Sequence, residues 1–311
     1  MNPLYWVGFA VVVTVMLALD LGVFNRKAHT IKPREALLTS LMWIGVSLTF
    51  NALVFYFQGS EKGFEFLAGY LIEKSLSVDN IFVFVVVFAY FNTPGPLQHK
   101  VLFWGILGAL ILRGLLIGIG AALIHQFEWI VYIFGAFLIF TAIKLATQKE
   151  ESEVDPNKNP VVKLFRKVMP VAQDYDGANF FIRAGGALMA TPLMIVLIVI
   201  ETTDLVFALD SIPAIFAVTT DPFIIYTSNV FAILGLRALY FLLAGAMGQF
   251  RYLKMGLSLV LGFVGVKMIV AAVQIKIPIA ISLGVIALIL IVSIGASVIA
   301  SRREAQQAES K

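Results

Sequence analysis

The sequence predicts an all-α polytopic membrane bundle of about nine transmembrane helices containing a 3+3 inverted repeat. Three observations carry that expectation. Of 311 residues, 60% are hydrophobic and only 14% are charged, and mean hydropathy is +0.92; a soluble domain of this size has no interior large enough for so much apolar surface. The apolar residues fall into runs of the length that a bilayer core about 30 Å thick requires, roughly 20 residues per helix. Charged motifs from one set of three runs recur in a later set.

Leu4 to Phe24 is the first run. It has no basic segment ahead of it, carries Asp20 near its far end and lacks a small-residue cleavage site, so it reads as a retained helix rather than a signal peptide. The following runs are Leu37 to Phe57, Phe66 to Phe91, Val101 to Ile124, Trp129 to Ala146, Leu188 to Val218, Phe223 to Met247, Leu253 to Val273 and Pro278 to Ala300. Five regions follow: 1–65, an N-terminal pair of helices; 66–146, the first triplet; 147–187, a cytoplasmic connection; 188–274, the second triplet; and 275–311, a last helix with a cytoplasmic tail.

Basic residues orient the chain. Arg26, Lys27, Lys32 and Arg34 follow the first run, His99 and Lys100 the third, Lys149 to Arg183 the fifth, Arg251 and Lys254 the seventh, and Arg302 and Arg303 the last. The intervening breaks carry mainly acids, among them Glu61, Glu65, Glu128 and Asp221. The positive-inside rule then places the N-terminus outside and the C-terminus in the cytoplasm of a multi-pass inner-membrane protein. The net charge of +4 is accounted for by these breaks, and no nucleic-acid partner is implied. With no cysteine, disulfides, thiolate metal sites and thiol redox chemistry on the chain itself are excluded.

The 147–187 connection reads as a tether. Lys149-Glu150-Glu151-Ser152-Glu153 opens it, Val161 to Val168 mixes bases with apolar residues as a segment lying on a membrane surface does, and Gly185-Gly186 offers a hairpin turn unless Leu188 already begins the sixth helix.

In the repeat, Gln126-Phe127 aligns with Gln249-Phe250 and Lys144 with Lys267 in one register. Leu112-Arg113 matches Leu236-Arg237, and Glu73-Lys74-Ser75-Leu76-Ser77-Val78-Asp79-Asn80 lies over Asp204-Leu205-Val206-Phe207-Ala208-Leu209-Asp210-Ser211. The two triplets run in opposite directions, which is a transporter architecture.

Six acids lie within the runs: Asp20, Glu73, Asp79, Glu201, Asp204 and Asp210. Each costs about 2.5–3.5 kcal/mol at a helix centre on insertion scales. Arg113 and Arg237 invite a purely structural reading in which each pairs with an acid and holds the bundle together. Even with Lys74 added, three carboxylates remain over, and surplus negative charge beside an aqueous path suits a cation site or a proton relay. Lys144 and Lys267 lie towards helix ends, where they can snorkel.

Six residues turn an intact helix by about 240°, so Glu73 and Asp79 share a face only if their helix is interrupted. Ser75, Ser77 and Asn80 around the first pair, and Thr202, Thr203, Ser211 and Pro213 around the second, mark candidate interruptions. Glu201 and Asp204, three apart, lie on one face and either grip one ion or share one proton. The histidines His29, His99 and His125 sit in breaks or at span edges, so the donors are oxygens, which suit magnesium, calcium or manganese. Crowded acids bind metal by releasing protons, making protons a natural counter-ion. An intramembrane aspartyl protease also needs paired acids, but its Gly-x-Gly-Asp motif is missing before Asp79 and Asp210, and no enzymatic activity is expected. A membrane partner that assists metal loading or secretion without transporting is a third reading.

Ala18-Leu19-Asp20-Leu21, the Glu73 to Asn80 segment, Asp210-Ser211-Ile212-Pro213-Ala214-Ile215-Phe216-Ala217-Val218-Thr219 and the Arg237 region resemble the TerC family of membrane proteins, particularly its Alx branch, over essentially the whole chain. That resemblance implies kinship with LysE-like transporters, export of manganese(II) as the transported ion with no permanently bound cofactor, and an ion pathway through Glu73, Asp79, Glu201, Asp204 and Asp210, with Asp20 a weaker member. Members of the branch have also been called redox modulators. Asn80, Ser211, Arg113, Arg237 and Lys74 are the polar and charge-pairing residues around that pathway. The bilayer, a divalent cation and protons are the expected partners, and nothing in the sequence bears on oligomeric state.

Overall fold

The computed structural model describes residues 3–19, 33–127, 129–147, 159–184, 186–244, 252–273, 275 and 277–309; Asp20 and the acidic run at 149–155 lie outside them. The helices are α1 (Pro3–Leu19), α2 (Pro33–Gln58), α3 (Ser60–Tyr90), α4 (Gly95–Gln126), α5 (Ile130–Thr147), α6 (Pro160–Val168), α7 (Pro192–Phe216), α8 (Pro222–Leu234), α9 (Leu236–Leu243), α10 (Leu253–Ala272) and α11 (Ile279–Glu309), with a hairpin of β1 (Phe181–Ala184) and β2 (Ala187–Ala190) between α6 and α7. Proline opens α6, α7 and α8 at the first helical position, where its missing N–H is no loss.

Among the described residues, seven segments are long and apolar enough to cross a bilayer: Arg34–Gln58, Gly95–Gln126, Ile130–Thr147, Pro192–Phe216, Pro222–Leu243, Leu253–Ala271 and Ile279–Ser301. The sequence predicts two more. The apolar part of α1 described here, Leu4–Ala18, is shorter than a span, because the predicted run continues into residues 20–24. Helix α3 has 31 residues, about 46 Å at 1.5 Å per residue, but Glu73, Lys74 and Asp79 in its middle make it too polar to qualify on composition. A helix with such a middle is tolerated only behind others, and α3 packs against α2, α7, α8 and α11.

The interior divides into three apolar clusters. One joins α3, α5, α7, α10 and α11 around Leu138, Ile215 and Leu261. A second joins α1, α2, α3, α4 and α8 through Phe9, Phe66 and Phe231. A third links α3, α4, α7 and α9 to α6 through Val162. Large apolar side chains such as Ile143, Leu288 and Ile291 are exposed on the outer helices, as expected where the solvent is lipid.

Two expectations are corrected here. The helices are not interrupted at the acid pairs: α3 runs unbroken through Glu73 and Asp79, and α7 through Asp204 and Asp210, with Pro213 inside it. Ser75, Ser77, Thr202 and Thr203 bond carbonyls one turn back, at Leu71, Glu73, Ile198 and Val199, so their hydroxyls are satisfied without opening the helix. The break falls instead at Gly235, between α8 and α9.

The sixth helix begins at Pro192, four residues later than the predicted Leu188, because Leu188 belongs to the hairpin. Phe181 pairs with Ala190 and Ala184 with Ala187, around Gly186 at φ +84°, a left-handed conformation that glycine adopts without strain. The described part of the connection is held against the bundle. The Tyr175 hydroxyl donates to the Phe91 carbonyl at 2.9 Å, Lys100 donates to the Ala178 carbonyl, and Thr191 Oγ1 donates to the Asn179 carbonyl at 2.7 Å, so it is docked on the α3–α4 turn.

Helix α6 is amphipathic, with Val162 buried and Val161, Leu164 and Val168 exposed. Asn159 caps it, accepting from the Val161 and Val162 amides and donating to Thr202 Oγ1 at 2.7 Å. Asn159→Ala removes the cap and this tie to α7, and is expected to cost about 0.5–2 kcal/mol. The check is a lower thermal midpoint of the detergent-solubilised protein together with faster proteolysis in 159–184.

Candidate functional site

Arg113, on α4, is almost wholly buried and ties four helices together. Its Nη2 donates to Asp204 Oδ1 at 2.9 Å and its Nε to Asp204 Oδ2 at 3.3 Å, a two-point grip on α7. Its Nη1 pairs with Glu73 Oε1 on α3 and also donates to Asn229 Oδ1 on α8 at 3.0 Å and Ser211 Oγ on α7 at 3.4 Å. Asn229 Nδ2 donates to Glu73 Oε2 at 3.1 Å, and Asn80 Nδ2 to Asp204 Oδ1 at 3.4 Å. Glu73, Asp204, Asn80, Ser211 and Asn229 are all buried. The planar fork of an arginine serves two carboxylates at once; one guanidinium against two carboxylates leaves an excess of negative charge.

Glu201 stands one turn before Asp204 on α7 and feels its like charge. Its Oε2 is buried and accepts no hydrogen bond among the described residues, which is costly for a carboxylate oxygen. Gly108 on α4 makes room for it, since a Cβ there would overlap the Glu201 carboxylate. Beside this lies a cavity of about 10 Å³ lined by Asp204, Arg237, Leu102 and Ile200, space for one water at most. Arg237 is buried in its wall. Lys74 donates to the Ala232 carbonyl at 3.2 Å, where α8 approaches its break.

Asp79 and Asp210 make their contacts elsewhere, as their six-residue offset in unbroken helices dictates. Thr141 Oγ1 on α5 donates to Asp210 Oδ1 at 3.0 Å, with Lys144 as a neighbouring positive charge; Asp79 feels Lys254 on α10. Among the described residues no three carboxylates or histidines converge closely enough to hold one metal ion. The oxygens gathered on Arg113, from Glu73, Asp204, Asn229 and Ser211, are of the kind that suits hard cations, with the arginine in the place a cation would take. Asn229 and Thr141 were not anticipated. The polar triplet Thr227-Ser228-Asn229 inside an apolar run was the available signal for the first, and Thr141 carried none.

A helical bundle in which a buried arginine joins carboxylates from different apolar helices defines a polytopic integral membrane protein with a charged interior. The family described as "Integral membrane protein TerC family" matches residues 58–305, and the chain belongs to that family. It is 52% identical over 301 residues to "Uncharacterized membrane protein STKORF319" of Myxococcus xanthus, covering 97% of this chain and 94% of that protein. It is 50% identical over 301 residues to "Putative membrane-bound redox modulator Alx" of Escherichia coli K12, covering 94% and 93%. A membrane protein of Rickettsia bellii is 42% identical over 294 residues, covering 94% and 97%. No solved structure matches significantly.

Proposed function

We propose that the protein carries a divalent cation across the cytoplasmic membrane, manganese(II) outward in exchange for protons, and that the Glu73–Arg113–Asp204 network is the closed state of its path. The observation that carries this reading is the half-buried Glu201 carboxylate beside Asp204, whose Oε2 is buried and is bonded by nothing described. An unpartnered buried carboxylate oxygen is costly, and a cation entering between Glu201 and Asp204 supplies the missing partner and competes with Arg113 for Asp204. Protons released as the metal binds provide the coupling. Asp79 and Asp210, each near a lysine on another helix, flank the centre as further stations, and no reaction chemistry is assigned to any of these acids.

Contacts between helices support an inverted repeat of α3–α5 with α7–α10. Helix α3 packs on α8 as α4 does on α7, while α3 meets α7 and α5 meets α10. Glu73 and Asp204, which occupy the same repeat position, meet on one guanidinium. The name of the Escherichia coli relative attaches redox modulation to that protein. Without a cysteine, this chain has no thiol to carry such a role.

The test uses inside-out vesicles loaded with a manganese-sensitive dye. An acidic lumen is expected to drive metal entry with the unmodified chain, and Glu201→Gln to slow it at least tenfold while the amount of folded protein stays the same. Absence of metal entry under every pH gradient overturns the proposal.

A further inference from the structure

A cavity of about 1190 Å³ opens where α3 begins and α4 and α7 end, closed round by α5, α10 and the start of α11. Glu65, Thr219, Thr220, Gln126 and Lys267 are among the residues of its wall. It lies two turns of α3 away from Glu73 and has no part in the arginine network.

Two details of its wall bear on what it receives. The Glu65 carboxylate is buried, yet its two donors, Lys62 Nζ at 2.8 Å and Thr219 Oγ1 at 2.6 Å, both fall on Oε2; Oε1 accepts no hydrogen bond among the described residues. Lys267 is only 7% exposed, and its ammonium makes no hydrogen bond or ion pair among them, although it feels the charge of Glu65. A mostly buried lysine whose ammonium finds no protein partner is tolerated where, as here, it borders a cavity that admits water or exchangeable ions. Lys62 is already held between Glu65 and Asp221, at 2.8 Å and 3.5 Å, so Lys267 is the cation left over opposite a carboxylate oxygen left over. Hydroxyl and amide oxygens around them match the hydration shell of a hard ion.

We propose that this vestibule is a second cation station, in which a hydrated divalent ion sits against Glu65 and Lys267 is the resident positive charge that the ion displaces. The proposal rests on the transport reading for its place in a path, but the binding it asserts is measurable without transport. A lysine charge facing the carboxylate in the absence of metal keeps the station neutral and lowers its affinity, so that an ion is released rather than trapped.

The native chain has no cysteine, so Thr220→Cys places a single thiol in the wall. Membranes are opened by freeze–thaw so that both faces meet a water-soluble maleimide, and the labelling rate is measured with manganese chloride, with sodium chloride of equal ionic strength, and with sodium sulfate. Manganese is expected to slow labelling at least fivefold, to lose that effect in the Glu65→Gln background, and to act at severalfold lower concentration in the Lys267→Gln background. These opposite shifts are not what misfolding produces, and if Glu65→Gln does not accumulate, the Lys267→Gln shift decides. No labelling, a rate indifferent to manganese, protection that survives Glu65→Gln, an unshifted Lys267→Gln, or protection by sulfate instead would each overturn the proposal. Protection without any vesicle transport keeps this station and removes the transport reading; transport without protection does the reverse.

Discussion

Arg113→Ala is expected to prevent stable accumulation of the protein in the membrane. The substitution leaves Glu73 and Asp204 buried without their shared counter-charge and strips Asn229 and Ser211 of a donor. Breaking a buried ion pair from one side costs about 3–5 kcal/mol, a large part of the roughly 5–15 kcal/mol by which a folded domain is stable. Arg113→Lys restores the charge but not the fork, since one ammonium cannot reach both Asp204 oxygens as well as Glu73 and Asn229, so only partial recovery is expected.

The informative comparison is the triple variant Arg113→Met, Glu73→Gln, Asp204→Asn. It removes all three charges together and is expected to recover most of the lost stability while carrying no metal. Thermal unfolding in detergent, followed by size-exclusion of the heated protein, reads the first quantity, and the vesicle assay reads the second. An Arg113→Ala midpoint within two or three degrees of the unmodified protein, where a loss of several kcal/mol should move it far more, would show that the guanidinium is not what joins α3, α4, α7 and α8.

Gly265→Val is expected to separate α5 from α10. A Cβ at Gly265 would lie 2.9 Å from the Gly135 carbonyl oxygen and 3.0 Å from the Leu138 and Ile139 side chains. Gly135 faces it reciprocally, with the Gly265 carbonyl oxygen 3.1 Å from its own Cβ position. Backbone cannot swing aside as a side-chain tip can, and helices in lipid associate largely through such close packing of small residues. Overpacking of this kind costs about 1–3 kcal/mol. Gly118→Val, where nothing lies within 4 Å of the added carbon, is the matched control and is expected to leave the thermal midpoint near that of the unmodified protein. Equal midpoints for the two variants would refute the interface. The effect should reach the acids as well, because α5 brings Thr141 to Asp210 and α10 brings Lys254 towards Asp79.

The arginine network was half legible in the sequence. Two central arginines among six acids announce that some carboxylates are paired, and the motif register singles out Glu73 and Asp204 as counterparts. What the register does not reveal is that one arginine takes both. That depends on how α3, α4, α7 and α8 are rotated about their axes, which is settled by contacts between residues 40 to 156 positions apart. The expectation of interrupted helices failed for a local reason: serine and threonine next to an acid are as compatible with bonds to their own helix as with unwinding, and here they bond back. The hairpin had a readable turn at Gly185-Gly186, but its second arm is apolar enough to pass for the start of a helix, and only pairing with Phe181 to Ala184 distinguishes the two.

Composition and run length alone determined that this chain is a membrane helical bundle, because transfer into lipid is scored residue by residue along each run and needs no knowledge of neighbours. Only the tertiary structure decided which acids share a guanidinium, which stand apart beside a lysine, and that Glu65 and Lys267 face one cavity. Those outcomes depend on the rotation of each helix within the bundle, a property that no single run encodes, since in lipid the tight fit of small residues and the pairing of buried charges fix the rotation together.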